Sequence, residues 1–114
     1  MKTFEFENIK FLLGQNAQEN WDILEEAQKI NSDYIWFHLN SFPSSYVIMY
    51  SCIDELNDIS LNNYLTYGAN LCKTHSKYKN YNDLKICYTT LKKITKTNKI
   101  GEVLIKGKRN IIKL

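Results

Sequence analysis

The segment Tyr34-Ile35-Trp36-Phe37-His38-Leu39 carries large side chains on both of its alternating sets of positions. Ile35, Phe37 and Leu39 form one set; Tyr34, Trp36 and His38 form the other. In an extended chain the two sets face opposite sides. A strand of this kind therefore belongs inside a sheet whose two faces are both covered, and it predicts a central strand.

The flanking segments supply the partners. Phe4 and Phe6, then Ile9, Phe11 and Leu13, alternate on either side of Glu7-Asn8, a turn-prone pair, which predicts an opening hairpin with one buried face. Gly14 ends the second strand. Asn16, with Glu19 three residues on, predicts a capped helix running to about Gln28, with Ala17, Trp21, Leu24 and Gln28 near one stripe and Glu25 and Glu26 outside it. Ser41-Phe42-Pro43-Ser44 predicts a turn and Tyr46 to Tyr50 a strand that pairs back on Tyr34–Leu39.

Ser60 is expected to cap a second helix whose stripe Leu61, Leu65, Gly68 and Cys72 faces the sheet, with Thr66, Asn70, Lys73 and Lys77 along another face. Leu84, Ile86 and Tyr88 alternate with Lys85, Cys87 and Thr89 in a further strand. Two more strands, Glu102 to Lys106 and Asn110 to Leu114, flank Gly107. Between the strand ending at Thr89 and the one starting at Glu102, Lys92 to Lys99 reads as a polar, lysine-rich loop.

With 114 residues, 44% of them hydrophobic, and one proline, the chain is expected to build one core in one domain, residues 1–114. The fold class that follows is α+β, a mixed or antiparallel sheet of hairpins with two main helices packed on it. The longest apolar run, Tyr46 to Tyr50, is far short of the roughly 18 residues that a membrane span needs. No signal-peptide pattern opens the chain. Cys52, Cys72 and Cys87 are odd in number and widely spaced, which suits reduced thiols in a cytosolic or nuclear compartment, and a cytoplasmic location is expected.

Charge is distributed unevenly. Residues 1–71 hold three lysines against ten acids, a balance of −7, whereas residues 72–114 hold twelve Lys and Arg against Asp83 and Glu102, a balance of +10. Such a segment attracts a polyanion, and with so few acids nearby in sequence its lysines are not expected to be neutralised locally. The alternative is an ordinary solvated face. Tyr78, Tyr81 and Tyr88 are interleaved among the lysines. Cations that meet phosphates and aromatic faces that stack bases are the parts a nucleic-acid binder requires, although each tyrosine alone is equally explained by packing.

Other chemistries find less support. His38 and His75 with three cysteines lack the close Cys or His spacings of a metal site, the four glycines are too scattered for a phosphate-cradling loop, and a His38–Cys87 nucleophile pair has no orienting motif. The expectation is a non-catalytic domain with no metal and no cofactor.

Three blocks carry a family likeness: Gly14-Gln15-Asn16-Ala17-Gln18-Glu19-Asn20, then Asp33-Tyr34-Ile35-Trp36-Phe37-His38, then Ser76 through Tyr88-Thr89, Lys92-Lys93 and Gly101-Glu102-Val103. Together they resemble the RNA-binding domain of the NFACT proteins, nearest to its free-standing form of the coiled-coil domain-containing protein 25 type. The resemblance covers nearly the whole chain. It implies binding of nucleic acid, RNA rather than DNA, in the company of tRNA or the ribosome. The chain departs from the family where Gln15 replaces an arginine and where Ser44-Ser45-Tyr46-Val47 replaces Gly-Ser-His-Val, and contact near those turns is expected to be weakened.

The sequence thus points to Lys73, Lys77, Lys92, Lys93, Lys96 and Lys99 as phosphate contacts, with Trp36, His38 and Tyr88 as secondary site residues that the resemblance singles out. A reading from a different class remains open, an adaptor whose acidic half, Glu25 and Glu26 included, docks a basic protein.

Overall fold

The computed structural model describes residues 1–114, the side chain of Asp58 excepted. Eight strands and two helices follow in the order β1 (Lys2–Phe6), β2 (Ile9–Leu13), α1 (Ala17–Ile30), β3 (Tyr34–Leu39), β4 (Val47–Cys52), α2 (Asp58–Thr74), β5 (Lys85–Thr90), β6 (Ile94–Lys96), β7 (Val103–Ile105) and β8 (Asn110–Lys113). Six strands form one sheet, β1-β2-β4-β3-β5-β8, and β6 pairs with β7 apart from it. Every neighbouring pair is antiparallel. The α+β class, the opening hairpin, the β3–β4 hairpin and the central place of β3 agree with the sequence reading.

The connections explain why both sheet faces are covered. α1 joins β2 to β3 across β4, and α2 joins β4 to β5 across β3. Each joins two strands that run parallel, because both are antiparallel to the strand between them. Parallel crossovers are right-handed. The two start from antiparallel strands and step the same way along the sheet, so equal handedness puts the helices on opposite faces.

The core divides accordingly. On one side Phe11, Ile35, Phe37, Leu39, Val47 and Met49 meet Leu65, Ala69 and Cys72 of α2. On the other Leu12, Trp36, Ile48 and Cys87 meet Ile23, Leu24 and Ala27 of α1, together with Leu91 and Ile94.

Local chemistry sets the ends of these elements. Glu7 (φ 49°) and Asn8 (φ 69°) take the left-handed conformations that a two-residue hairpin turn requires, and the Tyr64 hydroxyl donates to the Glu7 carbonyl at 2.8 Å. Asn16 caps α1 by accepting from the Glu19 N–H at 2.9 Å, while the Glu19 carboxylate accepts from the Gln15 N–H at 3.0 Å. The α1 stripe differs from expectation: Asn20, Ile23, Leu24 and Ala27 are buried, and Ala17 is exposed. α2 is capped by Asn57, which accepts from the Ser60 N–H at 2.9 Å, so Ser60 lies inside the first turn instead of at the cap. An asparagine carbonyl caps as well as a serine hydroxyl, and the choice depends on where the chain leaves the preceding 3₁₀ turn (Ile53–Glu55).

Asn20 is the buried polar member of α1. Its Oδ1 accepts from the Tyr46 N–H at 3.0 Å, and a Cβ on Gly14 would lie 2.1 Å from that same oxygen. Gly14→Ala is expected to force Asn20 away, leaving the Tyr46 N–H without its partner at a cost of about 1–3 kcal/mol. Urea denaturation checks this; a stability unchanged by Gly14→Ala would refute it.

Candidate nucleic-acid interface

The stretch read as a lysine-rich loop is folded. Leu91–Lys93 forms a 3₁₀ turn, and Ile94–Lys96 is a strand paired with Val103–Ile105. Leu91 and Ile94 are buried against α1. Side chains on α1 hold this hairpin in place: Gln28 Nε2 donates to the carbonyls of Leu91 (3.1 Å) and Ile94 (2.9 Å), and Trp21 Nε1 donates to that of Glu102 (3.2 Å). The Tyr46 hydroxyl donates to the Gly101 carbonyl at 2.5 Å.

Local neutralisation, which the sequence argued against, also occurs. Lys92 pairs with Asp33 at 2.9 Å, and Lys96 pairs with Glu25 while lying 5.0 Å from the centre of the Trp21 ring. These acids come from the N-terminal half, 59 and 71 residues away along the chain. A sequence count of neighbouring charges does not reveal them.

α1 and the hairpin leave part of their sheet face uncovered. A groove of about 710 Å³ opens there, lined by the start of α1, the Pro43–Ser45 turn, the His75–Tyr78 segment, the tip of the β6–β7 hairpin and Arg109. Trp36, His38, Lys77 and Lys99 all line it. So do Gln15, Ser44 and Tyr46, the positions at which the sequence departs from the family pattern.

The other singled-out residues lie elsewhere. Tyr88 pairs in register with Phe37 and packs on the α2 side, with ring centres 5.9 Å apart. Lys73 donates to the Leu114 carbonyl at 2.9 Å near the end of α2. Lys93 is at the open end of the hairpin, where its carbonyl accepts from the Lys106 N–H.

Arg109, which the sequence reading passed over, lines the groove. The available signal was its residue type: it is the sole arginine in the chain, and a guanidinium meets phosphate in a bidentate geometry that lysine lacks.

The floor of the groove is uncharged. The His38 ring stacks with Trp36 (5.4 Å between centres, 6° between planes) and meets Tyr46 edge-on. Its Nδ1 donates to the Leu39 carbonyl at 2.7 Å, since a carbonyl can only accept. Burial pushes its pKa below the usual histidine value despite that bond, and the nearby Arg109 charge pushes the same way. Cys87, opposite His38 in register, has its thiol pKa raised by burial, with Arg109 partly opposing. Both shifts run against the thiolate and imidazolium that an activated nucleophile needs. Trp36 Nε1 is buried without a hydrogen-bond partner among the described residues.

His38 carries a stability consequence. The unfolded imidazole titrates near 6.5 and the folded one lower, so below about 6.5 the unfolded chain holds the extra proton. The stability that depends on a neutral His38 is intact above that pH and is lost as pH falls toward the lower folded value. His38→Gln should give a shallower loss of stability between about pH 7.5 and pH 5 than the natural protein shows. Equal slopes in urea titrations would count against this.

A family model described as the NFACT protein RNA binding domain matches residues 2–113. The chain belongs to that family. A solved structure, the C-terminal part of the fibronectin/fibrinogen-binding protein from Streptococcus suis, superposes on this NFACT domain with a TM-score of 0.74 at 23% identity. The match covers 93% of this chain and 40% of that one, so the NFACT domain spans well under half the length of its structural neighbour, and the likeness is one of fold. No curated protein matches the sequence. No helix among the described residues is long and apolar enough to cross a membrane.

Proposed function

We propose that this NFACT domain binds structured RNA without catalysing a reaction on it, and that the ligand is tRNA or ribosomal RNA met in the cytoplasm during translation or ribosome quality control. Kinship with the free-standing form of the domain is part of the same reading. The observation that carries it is the groove, where Lys77, Lys99 and Arg109 come together from three separate segments beside a neutral floor of Trp36 and His38. Phosphate contacts would supply most of the affinity. Lys73 and Lys93, outside the groove, would add to the attracting field, and Lys92 and Lys96 would add less because acids already pair them. Tyr88, on the opposite face, would act through packing behind β3.

The test is binding of labelled tRNA, a structured ribosomal RNA fragment and a duplex DNA across a salt series. Three groove cations contacting phosphates should give a log–log salt slope of about −2 to −3, with RNA bound more tightly than DNA. If no nucleic acid binds at low salt, the reading fails and docking of a basic protein on the acidic half becomes the better one. Glu26→Lys would then be expected to abolish capture of that partner.

A further inference from the structure

Beside the groove stands a cluster of three aromatic rings that RNA binding through the groove does not by itself use. Phe42 and Tyr78 stack with centres 4.1 Å apart and planes 21° apart. Tyr81 stands nearly perpendicular to both, 5.1 Å from Tyr78 at 79° and 6.1 Å from Phe42 at 83°. The first two rings pack onto the margin of the α2-side core. Tyr81 does not, and 52% of it remains exposed.

An exposed tyrosine is ordinary on a protein surface. Four further features set this one apart. A second hollow of about 200 Å³ lies against it, lined by Phe42, Tyr81, Leu84 and Lys85, too small for a whole ligand but open to one flat group. The hollow and the groove are adjoining, because Phe42 lines the first and its stacking partner Tyr78 lines the second. Cations stand on both sides, Lys77 in the groove and Lys85 at the hollow. The backbone that carries the ring is also held: the Tyr81 N–H donates to the Tyr78 carbonyl at 2.9 Å, and Asp83 holds a left-handed turn (φ 55°) just beyond.

We infer that Phe42, Tyr78 and Tyr81 form a stacking platform for an unpaired nucleobase of an RNA whose structured part lies in the groove. This rests on the RNA reading above. A strand leaving the groove with its phosphates passing from Lys77 toward Lys85 would carry a base across the open face of Tyr81. Stacking on an aromatic ring tolerates any base, so the platform would select unpaired nucleotides over paired ones without reading sequence.

The experiment compares two RNAs, a blunt hairpin and the same hairpin with a short single-stranded adenosine tail carrying 2-aminopurine. The natural protein is expected to prefer the tailed RNA by about tenfold, from stacking of one base, and to quench the 2-aminopurine. Tyr81→Ala should erase the preference and the quenching while leaving affinity for the blunt hairpin unchanged; Tyr81→Phe should keep both. Tyr81 is half in water, and circular dichroism is to check that each variant folds. Equal affinity of the natural protein for the two RNAs overturns the platform alone, as does an equal loss for both in Tyr81→Ala. Failure of both RNAs to bind overturns the groove reading, and the platform falls with it.

Discussion

Phe37→Ala should destabilise the protein by about 3–5 kcal/mol, the usual cost of emptying a buried phenylalanine site. The side chain is fully buried on the central strand and packs toward α2. A domain of this size has roughly 5–15 kcal/mol in total, so the variant would melt on the order of 15 °C lower. How closely the ring fits is visible at Gly68 on α2, where an added Cβ would lie 2.5 Å from Phe37 Cζ and 2.6 Å from Cε1. Gly68→Ala gains up to about 1 kcal/mol of helix propensity, yet crowding a packed core costs about 1–3 kcal/mol, so it should be net destabilising. Phe37→Leu removes the ring atoms that crowd Gly68. In that background Gly68→Ala should become neutral or stabilising. Thermal melts of the four proteins in this cycle decide the matter: an identical effect of Gly68→Ala in both backgrounds would mean that the ring does not set the helix-to-sheet distance.

That contact illustrates what local sequence does and does not contain. The two-faced pattern of Tyr34–Leu39 specified a covered central strand because side-chain alternation is a property of the strand itself. Glu7-Asn8 specified its hairpin for the same reason. The lysine-rich stretch was misread because its strand character depends on residues far away: Leu91 and Ile94 are isolated apolar positions among lysines, and only pairing with Val103–Ile105 and packing on α1 make them core. Asn20 lies outside the stripe that the sequence predicts for α1, and its burial becomes intelligible only once the Tyr46 N–H is seen to need an acceptor. For the candidate site, composition placed the positive charge in residues 72–114 but treated it as one surface. Folding divides it, bringing Lys77 and Lys99 to a groove beside Arg109 while setting Lys92 and Lys96 against Asp33 and Glu25.

The division can be tested with two variants of equal charge change. Lys77, Lys99 and Arg109 all changed to Glu should weaken tRNA binding by roughly a hundred- to a thousandfold, since each lost charge-assisted contact is worth about 1.5–3 kcal/mol and neighbouring contacts are not fully additive. The salt dependence should flatten by about two to three units of log–log slope. Lys92, Lys93 and Lys96 all changed to Glu alter the net charge identically, but two of those lysines already face carboxylates across exposed ion pairs. Reversing them should reduce the long-range attraction and change the salt slope little, because few phosphate contacts are lost. Net charge alone predicts equal losses in the two triple variants, and a greater loss in the second would move the binding surface from the groove to the hairpin. Only a selective collapse in the first, with both proteins folded, agrees with a site built where Arg109 meets Lys77 and Lys99.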